Sequence, residues 1–492
     1  MNEFLNFVLI LVVLTLFVVA ADLLKGRFKV DGKKTREFVH AAVAVVVFFA
    51  PLLFHSKLYP ALLAGTFVVV NFVSVRLGMF KGINPDRKNL GTVYYPVSFL
   101  ILVLLLWDSH PFIVSSAMLI MGLADPAAAI VGSNLRNAHA VGAFGERKTF
   151  EGGAAMFIIA AAATLFGLTF FRAQTGAFLT SWALIGVSCS VGIMVAAIEL
   201  VSPRATDNLT VPLSSAVLLY IAANDPSTLS VFILGEFLAL LVAYVSAKLR
   251  FLGTDGAVAT FILGGFIFGY GEWKWAAPIL AFFIIGSLAS KLFARQKAGY
   301  NLLYEKSHTR DAAQVFANGG FGLLMLIGNC LYPNYHWFLA YVGSLAAVTA
   351  DTLATEIGVF SKSNPYSLAS MRRVEKGMSG AISSLGTFSG FLSAAVLGVI
   401  SLPLAGGYSV FPVRFIAAGA LSGAIGSLAD SILGGTLQSQ YRCGTCGKIT
   451  ERRTHCNGGE TVLVQGYRWI NNDVVNFAAS VVGAVAMPLF FF

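Results

Sequence analysis

The first residue in this chain that requires a chemical explanation is an aspartate inside an apolar run. Ala124-Asp125-Pro126 is followed by a glycine-spaced polar stretch that ends in Glu146-Arg147-Lys148-Thr149-Phe150-Glu151, at the head of the next apolar run. A carboxylate within a membrane span costs about 2.5–3.5 kcal/mol on insertion scales, so it normally faces a partner, an ion or a water-filled cavity. Glu199, near the end of a later run, and Asp207-Asn208, at the start of the next, add two more acids. Three acidic side chains and a lysine at one depth suit Mg²⁺ together with nucleotide phosphates. Hard oxygen ligands hold the ion, and the lysine offsets phosphate charge.

The arrangement recurs later in the chain. Asp351 with Glu356, then Lys376, Asp430 and Asn472-Asp473, follow in the order of Asp125, Lys148, Glu199 and Asp207-Asn208. Four correspondences in one order argue for a parallel duplication. The junction then falls near Asn224 to Thr228, giving halves 1–224 and 225–492. The second half adds Thr309-Arg310-Asp311 and Arg372-Arg373. Extra basic charge there suits an acceptor that is already anionic.

Apolar helices must position these groups. With 57% hydrophobic and 12% charged residues and a mean hydropathy of +0.76, the composition is that of an all-α polytopic membrane protein. We expect about sixteen transmembrane helices in two parallel-related eight-helix halves, among them spans at 93–107, 209–223, 255–270 and 275–293. The net charge of +10 is divided among short loops, with no basic domain to bind a nucleic acid polymer. Of the 34 Lys and Arg, only Lys57, Arg172, Lys274 and Arg414 fall in one of the two alternating sets of loops. The other set is therefore expected in the cytoplasm, with the sites on that side of what is expected to be a bacterial inner membrane. Asn2 and Glu3 precede the first span without a basic n-region, so a retained helix is expected there.

Three further groups lie near these acids or in the last polar loop. His40 sits at the mouth of the second span, and Tyr94-Tyr95 open the fourth. Each suits either interfacial anchoring or substrate contact. Cys443 and Cys446, with His455-Cys456, form a possible structural zinc knuckle, against the alternative of a reduced, metal-free loop. Cys189 and Cys330 suit packing.

Two resemblances follow from these residues. The first half resembles the phytol kinase and dolichol kinase family, through Arg36 to His40, Gly91 to Pro96, Ala124 to Ala128, Lys148 to Gly152 and Asp207 to Pro212. The second half looks like the phytyl-phosphate kinase family, through Thr309 to Asn318, Ala350 to Gly358, Gly426 to Gly434 and Asn471 to Asn476. Together they imply a fused enzyme of isoprenoid salvage that turns a prenol into its monophosphate and then its diphosphate. CTP is the implied phosphoryl donor of the first half, with ATP open for the second, and Mg²⁺ the cofactor. In that scheme Asp125, Glu199 and Asp207 bind Mg²⁺ or act as base, Lys148 neutralises donor phosphates, Glu151 joins them as a catalytic residue, and Arg147, Thr149 and Asn208 bind the nucleotide. His40, Tyr94 and Tyr95 meet the alcohol. In the second half Asp351, Glu356, Asp430 and Asp473 take the Mg²⁺ role, Arg310, Arg372, Arg373 and Lys376 offset phosphate charge, and Asn472 contacts phosphate. The rival expectations are a CTP-dependent lipid cytidylyltransferase and, further off, a secondary transporter. A transporter's binding groups should cluster near the membrane midplane rather than at helix ends.

Overall fold

Apolar runs in lipid must satisfy their own backbone hydrogen bonds, so they fold as helices. These helices fill both compact units of the chain, Met1–Ile233 and Leu234–Phe492. The computed structural model describes residues 2–80, 89–172, 180–224, 228–293, 309–456 and 458–492. The expected cytoplasmic residues Arg87 and Lys88, and junction residues 225–227, lie outside the described residues.

The first unit contains α1 (Glu3–Phe28), α2 (Gly32–Phe48), α3 (Leu58–Leu77), α4 (Gly91–Leu106), α5 (Pro111–Asn134), α6 (Phe150–Phe170), α7 (Ser181–Val201) and α8 (Asp207–Asn224). Its centre is α5, which packs against α2, α4, α6 and α8 and is buried at every residue from Phe112 to Gly122. Asp125 follows three residues after that stretch.

Helix α9 (Thr228–Lys248) straddles the division between the units, which falls after Ile233 rather than at residue 224. The second unit continues with α10 (Thr254–Leu292), α11 (Ala312–Leu331), α12 (Tyr335–Gly358), α13 (Ser384–Ser401), α14 (Pro412–Thr436) and α15 (Asn472–Leu489). Here α12 is central, buried at every residue from Phe338 to Ala350, and Asp351 follows at once. Gly343 of α12 and Gly483 of α15 each meet the other's backbone carbonyl, so neither position has room for a Cβ. Small residues of this kind let membrane helices approach closely.

The chain is a polytopic membrane protein of the all-α class, its membrane-spanning segments all helical. Among the described residues thirteen helices are long and apolar enough to cross a bilayer, against about sixteen expected. The differences have physical causes. Helix α4 is shorter than a full span, and α8 is diluted by Asp207, Asn208, Ser214, Ser215 and Asn224. The spans expected at 255–270 and 275–293 run together as α10, whose backbone is non-helical at Glu272. Leu263 before that point and Ile279 after it both press on Gly319, and Gly256 and Gly286 both meet Arg310. Helix α10 therefore folds back on itself at Glu272.

Small antiparallel sheets occupy the polar loops. They are a two-stranded hairpin at 140–149, a three-stranded sheet within 366–382 and a four-stranded ribbon at 440–465.

Candidate functional sites

In the first unit the stretch after Asp125 is a hairpin that aims one lysine. Phe144 (φ 50) and Gly145 (φ 82) both have left-handed backbone, as a two-residue type I′ turn requires. Val141 then pairs with Lys148, and Gly142 with Arg147. Because alternate strand residues point to opposite faces, Lys148 turns inward and Arg147 is exposed. Thr149 ends the hairpin and caps α6, its Oγ1 accepting from the Gly152 N–H at 3.1 Å.

Lys148 closes a compact polar cluster. Its Nζ donates to Glu199 Oε1 at 2.7 Å, to the Glu199 backbone carbonyl at 2.7 Å and to Asp207 Oδ2 at 2.9 Å. An ammonium has three donors, and all three are committed. Lys148 thus clamps two carboxylates rather than reaching out toward a ligand. Burial alone would lower its pKa, but Asp207 and Glu199 outweigh that and hold it well above the ordinary lysine value. The stability this contributes is present at all pH values below about 10.4, the free lysine pKa, and is lost only as pH rises through the higher folded value. Asp207 Oδ1 accepts from the Asn208 backbone N–H at 2.9 Å and side-chain N–H at 3.0 Å. Ligand oxygens of Asp125, Glu199 and Asp207 lie within 4.8 Å of one another, a donor set suited to one hard divalent cation.

An apolar cleft of about 100 Å³ adjoins the cluster, lined by Leu14, Val43, Leu63 and Phe99 and ending at His40, Tyr95 and Asn208. His40 Nδ1 is 3.9 Å from Asp125 Oδ2, and its ring packs edge-on against Tyr95 at 4.2 Å. Tyr95 Oη donates to the Met118 carbonyl at 3.3 Å. Tyr94 is half-buried and does not line the cleft. Glu151 is turned elsewhere, accepting from His139 Nδ1 at 2.7 Å. An acid in the first turn of a helix favours the helix dipole whichever way it faces, so sequence alone places it on either side. Arg36 and Asn71, outside the set singled out from sequence as site residues, also line the cleft.

In the second unit a cavity of about 300 Å³ gathers Asp351, Glu356, Asp430, Lys376, Arg310 and Asn472. Asp351 and Asp430 share this cavity, and Asp430 Oδ2 is buried without a protein hydrogen bond. Glu356 Oε1 accepts from Ser290 Oγ at 2.9 Å. Lys376 Nζ donates to the carbonyls of Val359 at 3.2 Å and Ser361 at 2.5 Å, tying its loop to the end of α12. Asp473 accepts from Asn471 Nδ2 at 3.3 Å in the first turn of α15 and is not in the cavity wall. Arg372 and Arg373 form an exposed two-residue strand outside it. The wall also contains Ser379, Gln438 and Glu451, which sequence reasoning missed.

Arg310 joins this cavity to an apolar one of about 180 Å³ between α10 and its neighbours; Gln314 and Asn318 line both. Its backbone is pinned by the Arg310 N–H to the Phe251 carbonyl at 3.0 Å and the Gly253 N–H to the Arg310 carbonyl at 2.9 Å. The guanidinium lies over Phe282 at 5.4 Å and Phe283 at 5.9 Å. Burial pulls its pKa down to about 10, with Glu356 opposing.

Gly380 gives a stability prediction. Its backbone is left-handed (φ 77) and a Cβ would run into the Gly435 backbone. Gly380→Ala is expected to cost at least about 1–2 kcal/mol from backbone conformation alone, read as a lower melting temperature in detergent. An unchanged melt would contradict this packing.

Fold and sites together define a polytopic membrane protein whose polar groups converge at helix ends beside apolar cavities. The chain belongs to the integral membrane protein DUF92 family, which matches residues 237–484. It is also similar to a phytol kinase of Synechocystis, with 30% identity over 41% of this chain and 84% of that protein. The chloroplastic protein VTE6 of Arabidopsis thaliana is 25% identical over 54% of this chain and 69% of its own length. An uncharacterized membrane protein of Methanocaldococcus jannaschii is 28% identical over 51% of this chain and 91% of its own length. No solved structure matches the chain.

Proposed function

We propose that this chain is a membrane isoprenoid kinase with two successive activities. The first unit phosphorylates a prenol such as phytol or geranylgeraniol to the monophosphate, with CTP as donor. The second phosphorylates that product to the diphosphate with a nucleoside triphosphate. The observation that carries this is the same in each unit: an apolar cavity meets a cluster of carboxylates and a cation. The similarity to a phytol kinase supports the substrate class.

The physical requirements agree. A long prenyl chain gains roughly 0.8 kcal/mol for each buried CH₂, so it stays in the bilayer with its hydroxyl at the headgroup level. A nucleotide stays in water. Transfer between them belongs at helix ends, on the cytoplasmic side in this proposal.

In the first unit Asp125, Glu199 and Asp207 would hold Mg²⁺, which when bound neutralises donor phosphates. The cleft orients the alcohol toward His40 and Asp125, the groups placed to take its proton. Lys148 positions Glu199 and Asp207. In the second unit the acceptor is already an anion and needs no strong base; Arg310 offsets its charge while the adjoining cavity takes the tail. Asp351 and Asp430 would hold the second Mg²⁺.

The test is product chromatography with purified protein in lipid, a prenol, Mg²⁺ and γ-labelled CTP or ATP. We expect diphosphate from the parent, monophosphate accumulation in Asp351→Ala, and rescue of Asp125→Ala by added monophosphate. Pyrophosphate release with a CDP-lipid product would assign a cytidylyltransferase instead, and no label transfer to any prenol would end the kinase reading.

A further inference from the structure

The ribbon at 440–465 holds a second kind of site. Cys443 and Cys446 flank a tight turn in which the Gly447 N–H reaches the Cys443 carbonyl at 3.0 Å, with Gly447 left-handed at φ 72. His455 and Cys456 approach from the far edge of the ribbon, where the short strand Thr454–His455 pairs with Gly459–Gln465, the strand that separates it from Gln440–Cys443. Consecutive strand residues ordinarily face opposite ways, but Cys456 has left-handed backbone (φ 47), and both side chains reach the same point. His455 Nδ1 lies 3.5 Å from Cys446 Sγ and 3.2 Å from Cys456 Sγ. All four ligand atoms fall within 4.8 Å of one another. Zn–S bonds of about 2.3 Å and Zn–N bonds of about 2.0–2.1 Å at tetrahedral angles place sulfur and nitrogen about 3.5 Å apart. Three thiols and an imidazole are soft and borderline donors, which select zinc over the hard ions expected among carboxylates.

The ribbon also reaches the large cavity of its own unit. The strand after the Cys443–Cys446 turn pairs Thr450 with Tyr441, and the next residue is Glu451. Glu451 Oε1 accepts from Ser379 Oγ at 2.5 Å and Gln438 Nε2 at 2.8 Å, and all three side chains line the cavity that holds Asp351 and Asp430. So short a ribbon has little apolar core to fix its register, which is the circumstance in which small domains use a metal.

We propose that Cys443, Cys446, His455 and Cys456 bind one structural Zn²⁺, and that this ion fixes the strand register that brings Glu451 into the cavity wall. The ion takes no part in group transfer. Its loss frees the Glu451 segment.

The experiment uses the full chain purified in detergent without chelator. Elemental analysis is expected to find about one zinc per chain, falling about tenfold in Cys446→Ser and Cys456→Ser. Co²⁺ exchanged into the parent is expected to give visible absorption of tetrahedral thiolate ligation. Chelation should open tryptic cleavage after Arg452 and Arg453, and zinc should close it again. Protein that stays metal-free after zinc addition, or cysteines found paired as a disulfide, overturns the site. Zinc that binds while chelation leaves the tryptic pattern unchanged overturns the register role. Metal content and cleavage are read without a kinase assay, so they stand apart from failure of the activity proposed above.

Discussion

Lys148→Met is expected to lower prenol phosphorylation by at least about 100-fold while leaving conversion of supplied monophosphate to diphosphate intact. The reason is geometric. All three ammonium donors are bound to Glu199 and Asp207, and a methionine holds neither. Two largely buried carboxylates then repel each other and draw away from Asp125, dispersing the donor set. Breaking a buried ion pair by removing one partner costs about 3–5 kcal/mol, so the melting temperature should fall as well. Lys148→Arg separates the two effects, because it restores the charge without the compact ammonium. It should recover much of the stability and little of the rate. If Lys148→Met retains the first phosphorylation, the clamp is not needed for it.

Arg310→Met is expected to do the reverse to stability. Burial holds the Arg310 pKa at about 10, below its ordinary 12.5. A base whose folded pKa is depressed costs stability at every pH below the folded value, and the cost is relieved only as pH climbs from about 10 toward 12.5. At neutral pH the charged side chain therefore costs stability, a cost that its proposed place at the acceptor site would explain. Its removal does not orphan Glu356, which keeps the Ser290 hydroxyl. We expect a melting temperature at or above the parent's, with monophosphate accumulating because the second phosphorylation falls about 100-fold. A clear drop in melting temperature would mean that the stacking on Phe282 and Phe283 outweighs the desolvation. Undiminished diphosphate formation would remove Arg310 from the proposed acceptor site.

Much of this was legible in the chain because lipid enforces a simple code. Apolar runs such as 181–201 and 412–436 become helices over those same residues, and the acids at their ends are few enough to stand out. The misplacements occur where several geometries satisfy one pattern. The stretch from Ala140 to Thr149 reads as a glycine-spaced loop, yet it pairs as a hairpin. Glu151 and Lys148 are three residues apart, and only the hairpin and helix start decide that one faces His139 and the other the cluster. The cavity contacts of Glu451, Gln438 and Ser379 join segments distant in sequence. No local periodicity encodes such a meeting.

The reversal at Glu272 bears on how the protein is made. With a single residue of non-helical backbone between them, the two arms of α10 leave no tether long enough for one arm to be threaded across a bilayer while the other waits. Two apolar arms so closely joined are expected to insert together as a helical hairpin. The tip carries Glu272 and Lys274, one charge of each sign, so the turn is electrically neutral. Lys274 lies over the rings of Tyr335 and Phe338 at 5.3 Å and 5.1 Å. That contact ties the turn of α10 to the first residues of α12.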